Sequence, residues 1–290
     1  MTTVMYGDGL AHQMRSELAE EVRELAKKNI QPGLAVIIVG EDYASKTYVR
    51  IKKNAAEKIG IYSRVLEFDE SLKEEELLAQ IEQLNKDEDI HGILVQLPLP
   101  SQIDERKVLE SITPEKDVDG FHPINVGRLS NNQPGFIPCT PYGIEKMLNH
   151  YEIDVAGKHV VIVGRSNIVG KPVGQILLNK DATVSYCHSK TKDLKKHTLQ
   201  ADILIVAVGR ANLITQDMIQ SGAVVVDVGN TYLESGKVVG DVDFDEVKNK
   251  ASSITPVPKG VGPMTITMLL YNTVLAANQS LNESSMESTD

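Results

Sequence analysis

Short apolar runs and longer amphipathic segments alternate along the first half of the chain. Apolar residues at positions 10, 14, 18, 22 and 25 recur at three- and four-residue spacing, which predicts a first helix that stops before Pro32. Strands are predicted at 34–39, 63–68 and 92–96, and helices at 45–59 and 73–85. Alternation of strands and helices in this order predicts a parallel sheet.

The second half repeats this alternation after an irregular stretch. Residues 113–141 are rich in Pro, Gly and Asn and lack a sustained period, so they are expected to cross between domains. Apolar strands are then predicted at 160–163, 182–186, 203–208, 224–228 and near 253–257, with helical patterns between most of them. This pattern is typical of a doubly wound nucleotide-binding domain. A final apolar helix at 264–277 lies beyond that sheet and is expected to return to the first domain.

The pattern therefore predicts an α/β protein of two domains. Residues 1–138, joined by 266–280, form an N-terminal α/β domain, and residues 139–265 form a Rossmann-type domain. The polar, acidic segment at 281–290 offers little apolar surface to bury and is predicted to be a disordered tail.

Composition limits the class of partner. The 290 residues carry a formal net charge of −10, which argues against nucleic acid or an anionic membrane as the main partner. The two cysteines, Cys139 and Cys187, lie in no disulfide framework or metal-ligand pattern. No signal peptide is recognisable at 1–15, and no apolar run reaches the roughly 18 residues of a membrane span. We expect a soluble, cytoplasmic protein with no structural metal.

A glycine turn follows the strand predicted at 160–163. Gly164 ends the β-branched run and Gly170 opens a helical pattern, which is how a parallel sheet presents backbone N–H groups to phosphate. Ser166 replaces the middle glycine of the dinucleotide pattern, so the match is partial, and a tight turn without a ligand is an equal alternative. A P-loop is rejected because Pro172 stands where a magnesium-binding hydroxyl is required.

The next strand distinguishes between nicotinamide cofactors. A site for NAD requires an acidic residue about 20 positions after the first glycine, where it accepts from the ribose hydroxyls. Here the strand at 182–186 is followed by Ser189, and no carboxylate stands at its end. The hydroxyl of Ser189 and the nearby cation Arg165 suit a 2′-phosphate, so NADP is predicted in preference to NAD.

Polar residues in the first half are candidates for chemistry. Tyr48 and Lys52 are four residues apart on one helix face, although a solvated basic surface explains an unaided lysine as well. Gln96 stands at the carboxyl end of a predicted parallel strand, where such folds bind ligands, or it is a satisfied loop-edge amide. Asp117 and Asp119 lie near the domain crossing, and turn capping explains one of them without a function. The prolines and glycines at 256–263 suit close backbone approach or a purely structural loop.

Six ordered motifs together resemble a known family, the bifunctional methylenetetrahydrofolate dehydrogenase/methenyltetrahydrofolate cyclohydrolases. In sequence letters they are SKTYVRIK (45–52), VQLPLP (95–100), PEKDVDG (114–120), PCTP (138–141), GRSNIVGKP (164–172) and PVPKGVGPMT (256–265). The resemblance runs in order over residues 41–273.

The resemblance implies two linked reactions in one-carbon metabolism that serve purine, methionine and histidine biosynthesis. NADP oxidises 5,10-methylenetetrahydrofolate to the methenyl cation, and water then converts this cation to 10-formyltetrahydrofolate. The first domain is thereby implied to be catalytic and folate-binding. Lys52 is the implied proton-transfer residue, Gln96 holds it, Tyr48 positions the folate and Asp119 anchors the pterin ring.

The same resemblance implies the remaining binding residues and a homodimer. NADP would be held by residues that share the glycine-turn motif or flank it in the second domain: Thr140, Gly164, Arg165, Ser166, Gly170, Ser189 and Asn230. Folate would also contact Leu97, Pro258, Gly262 and Pro263. Asn230 departs from the family pattern, which usually has an apolar residue there, so its effect on cofactor affinity is left open.

Two other functions compete with this one. A monofunctional dehydrogenase would have lost hydrolysis, but Lys52, Gln96 and Tyr48 are all retained. A non-enzymatic NADP-binding regulator would need only the Gly164 turn, yet the folate motifs are present as well.

Overall fold

The computed structural model describes residues 1–233 and 235–287 of the chain. Within these residues the β-strands are β1 (Thr3–Val4), β2 (Gly33–Val39), β3 (Tyr62–Phe68), β4 (Gly92–Val95), β5 (His159–Val163), β6 (Thr183–Cys187), β7 (Ile203–Val206), β8 (Val224–Asp227), β9 (Thr231–Tyr232), β10 (Val238–Val239) and β11 (Ser253–Ile254).

The α-helices of the described residues connect these strands. They are α1 (Gly7–Ala26), α2 (Tyr43–Lys58), α3 (Glu74–Lys86), α4 (Glu105–Ser111), α5 (Pro123–Ser130), α6 (Cys139–His150), α7 (Gly170–Leu178), α8 (Leu194–Thr198), α9 (Phe244–Val247) and α10 (Val261–Glu287). A short 3₁₀ turn covers Gln216–Met218.

The chain divides into two compact units. One unit contains residues 13–137 and 268–290, and the other contains residues 1–12 and 138–267. After the ligands that the sequence resemblance implies, we call them the folate unit and the cofactor unit. The sequence assigns residues 1–12 to the first domain instead. The structure places them in the cofactor unit because β1 pairs in parallel with β11, Thr3 opposite Ser253 and Val4 opposite Ile254.

The folate unit is built on a three-stranded parallel sheet in the order β3-β2-β4. Every residue of the central strand β2 is buried, as expected for a parallel strand covered on both faces. Leu77, Ile81 and Leu84 of α3 pack into the core formed by alternate residues of β2 and β4. The sheet thus holds the carboxyl ends of β2 and β4 at one edge.

The cofactor unit contains a six-stranded parallel sheet in the order β1-β11-β8-β7-β5-β6. The strand order reverses between β5 and β7, because the chain runs from β5 outward to β6 and then returns to the other side of β5. In doubly wound folds this reversal marks the crevice that receives the ligand. A separate antiparallel hairpin joins β9 and β10.

The predicted α/β class is confirmed, and each strand predicted from the apolar runs is present with ends shifted by a few residues. The pattern missed β1 and the β9–β10 hairpin, because two-residue strands are too short to show a period. The irregular stretch at 113–141 also contains α5, which His122 caps by accepting from Ile124 N.

The last helix differs from the prediction. Residues 281–287, predicted as part of a disordered tail, form the final turns of α10. Extending an established helix adds one hydrogen bond per residue without a new nucleation cost, so polar residues can follow an apolar helix. Residues 288–290 of the predicted tail lie outside the described residues. Among the residues that are described, no helix is both long and apolar enough to cross a membrane.

Buried polar bonds fasten the C-terminal part of α10 inside the folate unit. Asn272 is almost fully buried, and its Nδ2 donates to the carbonyl oxygens of Val118 at 2.8 Å and Ile137 at 3.0 Å. Val118 is buried and Ile137 half-buried, so loss of this donor to their carbonyl groups would be costly. Asn272 therefore stabilises the return of α10 to the segments that precede and follow α5.

We expect Asn272→Ala to lower the free energy of unfolding by about 2–4 kcal/mol, because it removes the buried donor to the carbonyl groups of Val118 and Ile137. Urea denaturation checks this. Gln279→Ala, an exposed change on the same helix, is the matched control and should cost little. Equal stability of the two variants would contradict the role given to Asn272.

Candidate functional site

A lysine and an amide meet at the edge of the folate unit's sheet. Lys52 lies on α2 and is only 8% exposed, and its Nζ donates to Oε1 of Gln96 at 2.9 Å. Gln96 directly follows β4, and its backbone N–H extends the ladder by donating to Ile37 O. The sequence placed both residues as candidates, and the structure brings them together.

The amide of Gln96 is itself oriented. Its Nε2 donates to the carbonyl oxygen of Leu97 at 2.9 Å, which leaves Oε1 directed at the lysine. An amide oxygen accepts from an ammonium and from a neutral amine alike. Gln96 can therefore hold Lys52 in place during a proton transfer, and Leu97 lies beside the pair at a cis peptide bond to Pro98.

Tyr48 adds an aromatic face to this pair. It lies one helical turn before Lys52 on α2, and Lys52 Nζ is 6.0 Å from the centre of its ring. That distance is at the outer limit of a cation–π contact. The half-buried ring stands where a planar ligand next to the lysine could stack on it.

Asp119 lies in a turn that a second aspartate organises. The carboxylate of Asp117, 1% exposed, accepts from the backbone N–H groups of Phe121 and His122 and from Asn125 Nδ2 at 2.8–3.1 Å. Burial raises the pKa of Asp117 to about 7, against the lowering effect of these three donors. Asp117 thus has the turn-forming role that the sequence allowed for one of the two acids, and Asp119 stays half-buried.

The turn is also fixed to the sheet of the folate unit. Ile93 N in β4 donates to Lys116 O at 2.8 Å, and Gly120 completes the turn with a φ of +73° while donating to Asp117 O. Asp119 therefore extends from a segment that runs beside β4, the strand that leads to Gln96.

The glycine turn of the cofactor unit begins directly after β5. Gly164 has a φ of +135°, and a Cβ there would lie 2.4 Å from the carbonyl oxygen of Ala207. A Cβ on Gly170, the first residue of α7, would lie 2.5 Å from Gly164 O. Both positions therefore require glycine. Ser166, where the dinucleotide pattern has glycine, accepts with Oγ from the N–H groups of Val169 and Gly170.

Strand register brings Arg165 and Ser189 to the same sheet edge. Val163 of β5 lies opposite Cys187 of β6, and Gly164 N donates to Cys187 O at 2.9 Å. Arg165 and Ser189 each follow two residues later, and both are exposed. The residues from 187 to 192 contain no carboxylate, and the edge is basic and rich in hydroxyl groups. These residues fit a cofactor with a 2′-phosphate.

The other predicted binding residues of the cofactor unit are more scattered. Thr140 Oγ1 lies 2.9 Å from Thr265 Oγ1, and the exposed Asn230 directly follows the buried Gly229 after β8. Pro258 lies at a cis peptide bond, and Gly262 and Pro263 lie in the first turn of α10. These last three belong to the cofactor unit, whereas Tyr48, Lys52, Gln96, Leu97 and Asp119 belong to the folate unit.

Sequence reasoning gave no role to two buried carboxylates, Asp227 at the end of β8 and Asp241. Each accepts three backbone N–H bonds at the carboxyl edge of the sheet. Burial raises the pKa of Asp227 to about 6, and its backbone donors oppose the shift. The available signal in the sequence was an aspartate directly after three valines, which is rare inside an apolar strand. Gly229 follows Asp227 by two residues, and Gly240 directly precedes Asp241.

Comparison with known proteins matches two domain models in order along the chain. The model of the tetrahydrofolate dehydrogenase/cyclohydrolase catalytic domain matches residues 5–119, and that of the family's NAD(P)-binding domain matches residues 138–281. The bifunctional protein FolD of Bacillus anthracis is 58% identical over 280 residues, covering 97% of this chain and 98% of the relative.

Solved structures match over the same length. The bifunctional enzyme FolD from Campylobacter jejuni, a methylenetetrahydrofolate dehydrogenase/cyclohydrolase, gives a TM-score of 0.96 at 55% identity and covers 97% of this chain and 100% of its own. The Trypanosoma brucei enzyme, solved with NADP cofactor and an inhibitor, gives a TM-score of 0.93 at 39% identity. This match covers 97% of this chain and 98% of the Trypanosoma brucei chain. With two domain models matched in order and relatives similar over nearly the full length, the chain belongs to the tetrahydrofolate dehydrogenase/cyclohydrolase family.

Proposed function

We propose that Lys52 transfers the proton in a bifunctional enzyme of one-carbon metabolism. The chain is an NADP-dependent methylenetetrahydrofolate dehydrogenase and a methenyltetrahydrofolate cyclohydrolase. The observation that carries the proposed role is the 2.9 Å bond between Lys52 Nζ and Gln96 Oε1, made by a lysine that is only 8% exposed. A solvated surface lysine, the alternative from the sequence, would not be buried in this way.

The two reactions require different things of the protein. NADP, when bound, accepts the hydride from the methylene carbon, so the chain's residues need to align the substrate for that step rather than move a proton. Water addition to the methenyl carbon does require a proton acceptor. A cationic substrate beside Lys52 favours the neutral amine that can accept a proton, and Gln96 holds that amine in either state.

The folate would be bound by groups around this pair. Tyr48 would stack on the folate, Asp119 would accept from the amino and ring N–H groups of the pterin, and Leu97 would contact it beside Gln96. Pro258, Gly262 and Pro263 are proposed as further folate contacts. The proposed role of Asp119 is supported by the hydrogen bonds of Asp117, because they fix the turn from which the Asp119 side chain extends.

NADP would be bound by the edge of the cofactor unit. The Gly164 and Gly170 turn and Ser166 would approach the pyrophosphate, and Arg165 and Ser189 would bind the 2′-phosphate. Thr140 and Asn230 are proposed as additional contacts. The strand order supports this placement, because it reverses at β5 and β7 next to the turn.

The proposal extends to the cellular location, oligomeric state and partners of the protein. We infer a cytoplasmic homodimer with no nucleic-acid or membrane partner. The dimer rests on the family resemblance, and the cytoplasmic setting rests on two cysteines that lie in no disulfide framework. The net charge of −10 argues against nucleic acid and an anionic membrane. The retained Lys52 and Gln96 pair argues against a monofunctional dehydrogenase. Domain limits at 1–138 with 266–280, and at 139–265, stay predictions of where the folate and cofactor functions divide.

Lys52→Met keeps an apolar stem of similar length and removes the amine. We expect hydrolysis to fall about 10²–10⁴-fold while part of the dehydrogenase activity survives, because only hydrolysis needs the proton acceptor. The methenyl compound should accumulate, which its absorbance beside that of NADPH records after correction for spontaneous hydrolysis. Lys53→Met, on the exposed neighbouring lysine, is the control. Normal hydrolysis by Lys52→Met would show that Lys52 does not transfer the proton.

Arg165→Ala should weaken the binding of NADP far more than that of NAD. The expected loss is about tenfold or more, because the guanidinium would bond the 2′-phosphate that NAD lacks. Titration of each cofactor measures this, with Lys158→Ala, an exposed lysine just before β5, as the control. Equal losses for NADP and NAD would show that Arg165 does not bind the phosphate.

Asp119→Asn should damage folate binding and hence both activities. The change removes charge assistance and one acceptor, so KM for the folate should rise about tenfold or more while NADP binding stays unchanged. Glu115→Gln, an acid in the same segment, controls for the lost charge. Intact folate binding together with lost cofactor binding would disprove the role of Asp119.

A further inference from the structure

Asp241 holds a loop by its backbone. Its Oδ2 accepts from the N–H groups of Val208 at 2.7 Å and Gly209 at 3.0 Å, and its Oδ1 accepts from that of Arg210 at 2.7 Å. The residue is fully buried. A buried carboxylate is costly unless donors surround it, and three successive N–H groups on one carboxylate provide them. The conformation of residues 208–210 is therefore tied to Asp241.

This loop lies directly against the glycine turn. Residues 207–210 follow β7, which pairs with β5 so that Val206 lies opposite Val163. Ala207 N donates to Val163 O at 2.8 Å, and the carbonyl of Ala207 is the group that excludes a side chain at Gly164. The loop and the turn thus occupy the carboxyl ends of β7 and β5, where the strand order reverses.

Asp227 in turn holds Asp241. Its Oδ1 accepts from Gly229 N and Asp241 N, both at 2.9 Å, and its Oδ2 accepts from Val242 N at 3.0 Å. A Cβ on Gly240 would lie 1.8 Å from Asp227 Oδ2, so the chain at position 240 can lie this close to the carboxylate only if the residue is glycine. The two carboxylates join the loop after β7 to Gly229, which precedes Asn230 after β8.

The opposite side of the loop faces outward. Gly209 and Arg210 are exposed, although their backbone N–H groups are bonded to a buried acid. The arrangement fixes the backbone from inside and leaves the outer surface available at the edge that carries Arg165 and Ser189. A loop needed only to connect two elements has no need of two buried charges to fix it.

We propose that Asp241, supported by Asp227, is a positioning residue for NADP: it fixes residues 207–210 beside the Gly164 turn in the conformation that receives the cofactor. The inference rests on the proposed placement of NADP at that turn. The carboxylate itself touches the loop backbone and acts on the cofactor only through it. Loss of the carboxylate should therefore weaken NADP binding and leave the chemistry of the folate unit intact.

Asp241→Asn tests the proposal in the full chain. We expect the Kd and KM for NADP to rise about tenfold or more, because one acceptor and the charge assistance to the loop are lost. Cyclohydrolase turnover of methenyltetrahydrofolate, measured without NADP, should stay within about twofold of wild type. This split between cofactor affinity and cofactor-free hydrolysis is a readout that a general loss of folding would not produce.

Asp202→Asn is the matched control. Asp202 also accepts from a backbone N–H, that of His159 at 2.8 Å, but at the amino end of β5. It should leave NADP affinity unchanged. Unchanged NADP affinity in Asp241→Asn, an equal loss in Asp202→Asn, or a parallel fall of NADP affinity and hydrolysis would overturn the proposal. Failure of the wild-type chain to bind NADP would instead disprove the cofactor placement on which it rests.

Gly209→Ala decides the matter if Asp241→Asn does not fold. Gly209 has a φ of +65°, and a Cβ there would meet no protein atom within 4 Å, so within the protein the change acts only on the backbone conformation. NADP binding weakened about fivefold or more, at unchanged hydrolysis, supports the proposal. Unchanged NADP binding in this variant overturns it.

Discussion

Parallel pairing of the strands is the constraint on which both units depend. In a parallel sheet all carboxyl ends emerge at one edge, so residues far apart in sequence are brought together there. In the folate unit this edge carries Gln96 after β4, next to Lys52 on α2. In the cofactor unit it carries Gly164, Ser189 and residues 207–210. Several of the proposed site residues, Gln96, Gly164 and Arg165 among them, therefore come just after the end of a strand.

Strand ends alone leave their backbone N–H groups without ladder partners, and three buried aspartates bond to such groups. Asp117 holds the turn that carries Asp119, while Asp227 and Asp241 hold the loops after β8 and β7. Each has an ionisable carboxyl group removed from water, which a fold tolerates only with several donors aimed at it. The same device therefore gives defined shape to loops in both units.

The folate unit and the cofactor unit need different kinds of precision. The proposed proton acceptor requires an amine of fixed position, and one hydrogen bond from Lys52 to Gln96 holds that amine. The proposed cofactor site requires backbone that approaches closely, and the glycines at 164 and 170 permit such an approach. Side chains hold the amine in the folate unit, whereas the lack of a side chain permits close approach in the cofactor unit. Substitutions in one unit should therefore affect hydrolysis and cofactor binding separately.

The sequence by itself determined the α/β class, helices α1, α2 and α3, the apolar part of α10, the longer strands and the family, because periodicity and ordered motifs are local properties. It also identified Lys52, Gln96 and Arg165 as candidates. It could not show β1 beside β11, α10 extending to Glu287, or Asp241 bound to residues 208–210. Those depend on which segments meet after folding. An isolated aspartate reads as a surface residue or a cap, and only burial against distant backbone N–H groups, decided by the tertiary structure, gives Asp227 and Asp241 their role.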